Sequence, residues 1–258
     1  MQYLDVAEAR SRREPMLVLT EGVAGPWGEA AKAILNWKGI AWLAVRQVAS
    51  EPNEALVAWT GQSSAPVLML PGEAPHLTLR QILMAAERIA PTRPLVPTDP
   101  EMRAQMLGLC GELHLEMGLG WCRRLMMLDT FLGGQLTGDP AMAGLERLAL
   151  KYGYFPNCLG VARSRVMEIL ELFSGRMRAQ EASGRSFLLG ESLTALDLVW
   201  AAFSNMVVPL DAEDCPMPDH QRLVYTIEDS EILAAIDPCL LAHRDRILRD
   251  VIGLPLEF

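Results

Sequence analysis

The chain lacks any long apolar run. None of its hydrophobic stretches approaches the ~18 residues that would span a bilayer, so no membrane crossing is expected. Its first fifteen residues carry Arg10, Arg12, Arg13 and Glu14 and no apolar stretch, so no signal peptide is expected there. Paired cysteines are also missing. Cys110, Cys122, Cys158, Cys215 and Cys239 are odd in number, scattered, and form no C-x-x-C. They read as buried thiols in a reducing compartment, not as a disulfide framework. Positive charge is in short supply, with 23 Lys and Arg against 32 Asp and Glu and a net charge of −9. An acidic surface repels phosphate backbones, so nucleic acid is not an expected partner. No G-x-S-x-G elbow, H-E-x-x-H pair or P-loop occurs. Gly118-Leu119-Gly120 lacks a third glycine and no strand leads into it, which argues against a dinucleotide site. Glu112, His114 and Glu116 suggest a metal cluster on paper. On a helix, residues i and i+2 point about 200° apart, so only Glu112 and Glu116 would share a face, and no metal is expected. A cytoplasmic protein is the remaining expectation.

What is present is ample core material. Half of the 258 residues are apolar, enough for one large domain or two small ones. Met16–Thr20 is an apolar run of strand length, followed by the turn signals Gly22, Gly25 and Pro26. Trp27, Ala31, Ile34 and Leu35 then share a helical face that ends at Gly39. Ala41–Val48 reads as a second strand, Asn53–Trp59 as a short helix stopped by Gly61, and Pro66–Leu70 as a third strand. Leu79, Ile82, Leu83, Ala86 and Ile89 mark one more helix. Pro91, Pro94, Pro97 and Pro100 then make a semi-rigid linker.

Beyond it every periodic segment is helical. Met102, Met106, Cys110, Leu113 and Met117 form a stripe that Gly118 and Gly120 interrupt, which predicts a kinked long helix. Leu159 to Met177 forms a second stripe, and Asp237-Pro238 opens a third helix. His243 stands among charges and is expected at the surface. The architecture is therefore α/β followed by all-α: an N-terminal extension (1–15), an α/β domain (16–90), a linker (91–100) and a helical domain (101–258). Within the helical part, Thr194 and Asp197 are spaced as a capping box, and Leu193 and Leu198 as its hydrophobic staple.

Taken together, four segments resemble the glutathione S-transferase superfamily, in particular a bacterial branch. Gly25-Pro26-Trp27 and Lys38-Gly39-Ile40 are similar to the start and end of that family's first helix. Ser64-Ala65-Pro66-Val67-Leu68 is similar to its cis-proline loop and third strand. Phe187 to Asp197 resembles its F-x-x-G-x-x-x-T-x-A-D motif, and His243 to Glu257 resembles the end of the bacterial branch. The resemblance covers residues 16 to 253 and implies a thioredoxin-like N-terminal domain, an all-helical C-terminal domain, glutathione as co-substrate, and a homodimer.

The site residues that the resemblance implies are uneven. Pro66 would be cis and Ala65 would offer its N–H and C=O to the tripeptide. Gln62, Ser64 and Thr78 would serve its γ-glutamyl end; Leu79 stands where the family has a polar partner, and Thr78 equally reads as a plain helix cap. The catalytic set would be Thr20, Gly25 and Trp27. Gly25 lacks the hydroxyl or thiol found there in relatives, Thr20 is the only nearby hydroxyl, and the Trp27 and Gly28 amides offer a helix dipole. Trp27, Trp121, Arg123 and Arg124 would face the second substrate, the arginines suiting an acidic group. Two functions stay open. One is a transferase or isomerase that joins glutathione to a small apolar or aromatic electrophile; the other is a non-catalytic ligand-binding or interaction protein with a degenerate glutathione site.

Overall fold

The computed structural model describes residues 1–155 and 157–258. The chain opens with β1 (Tyr3–Leu4) and α1 (Val6–Ala9). It then alternates β2 (Met16–Thr20), α2 (Pro26–Trp37), β3 (Leu43–Gln47), α3 (Glu54–Thr60), β4 (Val67–Met69) and α4 (Leu79–Ile89). The strands lie in the order β1-β3-β2-β4; β4 runs antiparallel to β2 and the other pairs are parallel.

The first fifteen residues are therefore not an extension. Tyr3 and Leu4 pair with Ala44 and Val45, and Ala9 is fully buried. Asp5 caps α1 in a reciprocal box with Glu8. A two-residue strand has no alternation for a sequence pattern to show; what recruits it is the otherwise open edge of β3.

Side-chain alternation splits the sheet between two cores. Leu17, Leu19 and Leu68 join Ile34 and Leu35 of α2 and Ile82 and Leu83 of α4. Met16, Val18, Val45 and Val67 pack with Ala9 and Leu56 on the opposite face. Pro26 occupies the first turn of α2, where a missing N–H costs nothing, and Gly39 follows the helix at φ +68°.

The helical half comprises α5 (Pro100–His114), α6 (Leu119–Leu132), α7 (Ala143–Lys151), α8 (Cys158–Ala182), α9 (Ala195–Ser204), α10 (Asp219–Tyr225), α11 (Ser230–Ala234) and α12 (Pro238–Ile247). The kink expected near Gly118 is a complete break. Leu115 is extended, Met117 takes φ +58°, and a Cβ on Gly118 would stand 2.8 Å from the Glu112 carbonyl. Only glycine passes there. None of the described helices is long and apolar enough to cross a membrane.

The two halves share one core. Trp200 and Phe203 of α9 belong to the same cluster as Ile34 and Leu35 of α2. The linker is pinned into it: Leu95 is fully buried, its carbonyl accepts the Ala195 N–H, and its own N–H is bound by Glu87. At the start of α9 the Thr194 hydroxyl accepts the Leu196 N–H, and the Asp197 carboxylate accepts the N–H groups of Thr194 and Leu188. His243 is not at the surface. It is 3% exposed, with Nε2 3.1 Å from Asp197 Oδ1. Docking of α12 onto α9 buries it, a long-range event that local charge pattern does not encode. All five cysteines are free thiols, four of them buried.

Candidate functional site

A cleft of about 390 Å³ lies between the sheet end and the helical half. One wall is built by the ends of β2 and β3, the loop at Ser63–Ala65, and the first turns of α2. The facing wall is Arg124 of α6 and Gly144, Arg147, Leu148, Lys151 and Tyr152 of α7 and its end. Gly144 and Arg147 bring α7 against the Ser50 loop; the Arg147 guanidinium donates to the Ser50 carbonyl at 3.3 Å.

Of the residues expected in the site, Thr20, Gly25, Trp27, Ser64, Ala65 and Arg124 line this cleft. The Ala65–Pro66 bond is cis, and among the described residues the Ala65 N–H and C=O carry no hydrogen bond. On the same wall, α2 begins at Gly25 without a side-chain cap. The Gly25 N–H is taken by the Val23 carbonyl and the Glu29 N–H by the Gly25 carbonyl. The Trp27 and Gly28 amides stay open, at the positive end of the helix dipole.

Other expected residues are used elsewhere. Thr20 reaches the cleft, but its hydroxyl donates to Gln47 Oε1 at 2.6 Å. A hydroxyl has one proton to give, so that proton is committed. The Trp27 side chain is a wall: its indole N–H donates to the His114 carbonyl at 3.0 Å, and its ring packs edge-on against Phe203 at 4.9 Å. Thr78 is exposed and caps α4 in a reciprocal box with Gln81, and Leu79 is buried in the core. Thr78 does not line the cleft, which leaves it the cap reading. Gln62 folds back on the Ser64 carbonyl at 3.0 Å, and Pro66 is buried beneath the loop.

The second-substrate set also changes. Trp121 stands behind the cleft, with its N–H on the Tyr152 carbonyl and its ring 4.7 Å from the Tyr152 ring. Arg123 points the other way, into carbonyls of Met206, Val224 and Tyr225. Burial, and then the neighbouring Arg124 charge, lower its pKa to about 10. It is a structural cross-link between α6 and the α10 region. Adjacent residues on a helix point about 100° apart, so only one of the pair can face the cleft.

Several lining groups carried no sequence signal. Arg147 and Lys151 lie one helical turn apart on α7 and share its cleft-facing side. Lys151 has its ammonium pKa lowered by the surrounding protein mass and then by Arg124. At the far end Glu29 and Lys32 form a buried pair at 2.7 Å, and burial raises the Glu29 pKa. Beside them the buried Tyr3 hydroxyl has no partner among the described residues; burial, then Glu29 and Glu21, push it up to about 12.

No protein-family model matches the sequence, and no curated protein is significantly similar to it. Solved structures do match. The beta-etherase LigF of Sphingobium is 17% identical over 92% of this chain and 96% of its own, with a TM-score of 0.60. A glutathione S-transferase of Methylobacterium radiotolerans, in complex with glutathione sulfonate, is 17% identical over 95% and 97%, with a TM-score of 0.58. One from Xanthobacter autotrophicus is 15% identical over 94% and 97%, also at 0.58. The chain has the glutathione transferase fold: a thioredoxin-like N-terminal domain and a helical C-terminal domain.

Proposed function

We propose that the protein binds glutathione in this cleft and presents its thiol to a small electrophile. The observation that carries the reading is the presence of two sets of free backbone groups on one wall of the cleft. The Ala65 N–H and C=O are available to pair with an extended peptide, and the open Trp27 and Gly28 amides line the same wall of the cleft. Those amides and the helix dipole favour the thiolate, the nucleophilic form, since a free thiol near pKa ~8.5 is mostly protonated at neutral pH. The sulfur then bonds the electrophilic carbon, and the leaving group departs with the electron pair.

Binding is expected to be weak, because Leu79 and Thr78 give the γ-glutamyl end nothing inside the cleft. Calorimetry with glutathione tests this. A constant in the high micromolar to millimolar range is the expected outcome. No heat together with no chemical-shift change would favour the second reading, a non-catalytic ligand-binding protein on the same fold. That reading has its own observation, the commitment of the Thr20 hydroxyl to Gln47. A cytoplasmic homodimer belongs to the first reading; five free thiols support the reducing compartment, and sedimentation measures the dimer.

A further inference from the structure

The cleft holds an unusual concentration of positive charge for a chain of net charge −9. Arg124, Arg147 and Lys151 come from two helices onto one wall. Glu51 lines the facing loop, yet among the described residues no carboxylate lies within 4.0 Å of any of the three. Arg147 spends one donor on the Ser50 carbonyl. Arg124 is the more telling member. Its Nε is buried with no hydrogen-bond partner among the described residues, and its guanidinium lies 6.0 Å from the Tyr152 ring centroid.

A buried guanidinium N–H without an acceptor is costly, because its desolvation goes uncompensated. Surface cations find carboxylates or water; these three converge on a cavity that also offers the apolar and aromatic side chains of Val23, Leu148 and Tyr152 beside polar groups such as Thr20, Gln47 and Ser63. A guanidinium offers the fork that matches a carboxylate, and a second charge one turn along α7 adds attraction in a partly dry site.

We propose that Arg124, Arg147 and Lys151 recognise the carboxylate of an aromatic co-substrate whose ring rests on Tyr152 and Leu148. The co-substrate is thus an aromatic or arylalkenyl acid. This rests on the glutathione reading for what the site does with the acid, but binding of the acid itself is measured without glutathione.

The test is calorimetry with cinnamate and with cinnamamide, equal in shape and different in charge, on the wild type and on Arg147→Met/Lys151→Met. The wild type is expected to prefer cinnamate at least tenfold at low salt, and added salt reduces that preference. The double variant is expected to lose most of the preference and to keep its glutathione constant. Arg124→Lys, which retains charge but not the fork, is expected to weaken cinnamate binding severalfold. Equal binding of the two probes overturns the proposal. So does a double variant that weakens glutathione and leaves the cinnamate preference intact, because the cationic wall would then hold a glutathione carboxylate. If glutathione gives no heat while the cinnamate preference stands, the glutathione reading fails and this assignment survives.

Discussion

Gly25→Ser asks directly what stabilises the thiolate. Gly25 has φ −73° and ψ 125°, which any residue adopts, and an added Cβ would come no closer than 4.0 Å to the Val23 carbonyl. The substitution is therefore free of strain. If glutathione binds as proposed, the open Trp27 and Gly28 amides of the wild type contribute about 0.3–1 kcal/mol to the anion, which lowers a thiol near ~8.5 by roughly 0.2–0.7 units. A serine hydroxyl aimed at the sulfur adds a hydrogen bond to a charged group, worth about 1.5–3 kcal/mol at full strength. Gly25 is half-buried, so about one further pKa unit is the reasonable share. The thiolate fraction at pH 7 then rises about fivefold, from a pKa near ~8 to one near ~7. Nucleophilicity falls with pKa with a slope of about 0.4–0.5, which removes roughly threefold. The net gain in turnover is only about twofold, so the rate alone decides little. The decisive assay is the pH–rate profile with an aromatic electrophile, backed by the ultraviolet absorbance of bound thiolate. The acid limb is expected to shift down by about one unit. An unshifted limb with a slightly higher melting temperature would refute the reasoning: the serine would be capping α2, and the sulfur would lie elsewhere.

Thr20→Val is expected to leave the thiol pKa and turnover nearly unchanged, because its proton already belongs to Gln47; a tenfold loss in rate would return Thr20 to the catalytic set. Asp197→Ala removes the acceptor for the buried Leu188 and Thr194 amides, and is expected to cost about 3 kcal/mol or more in denaturant unfolding. An unchanged midpoint would show that the box contributes nothing. Burial lowers the His114 pKa from 6.5 to about 4, so it stays neutral in the fold where the unfolded chain would protonate. The contribution is therefore complete above pH 6.5 and is lost as pH falls toward about 4. His114→Asn is expected to flatten the pH dependence of the unfolding midpoint in that window, and a slope equal to the wild type's would contradict it.

Local chemistry explains why some of this was readable in advance. The α2 start, the Gly39 and Gly61 stops, the Thr194–Asp197 box and the Asp237-Pro238 start are each decided within about one turn of chain, where side chains and backbone solve the same satisfaction problem. The Ser64–Leu68 loop is equally local. β1 is not, since two residues become a strand only because β3 has an open edge. His243 is a stronger case. Arg244, Asp245 and Arg246 beside it spell a solvated helix face, while the docking of α12 onto α9 brings it to 3.1 Å from Asp197, 46 positions earlier.

The site follows the same division, and it locates where new information enters. The backbone half of the cleft, Gly25 to Gly28 and Ser63 to Ala65, is local and was legible. The side-chain half is not, because α7 acquires a cleft-facing side only by lying against the Ser50 loop, 97 residues before Arg147 in sequence. Nothing in Arg147 or Lys151 distinguishes them from solvated cations until that contact exists. Arg123 and Arg124 are adjacent and chemically identical, yet one clamps three carbonyls and the other meets the cleft, a difference set by helix phase and by where α10 docks. If glutathione is held by the backbone wall as proposed, the opposite wall of side chains can change the co-substrate by substitutions on α6 and α7 alone. On the proposal above, specificity resides in Arg124, Arg147 and Lys151 rather than in the motifs that reveal the fold.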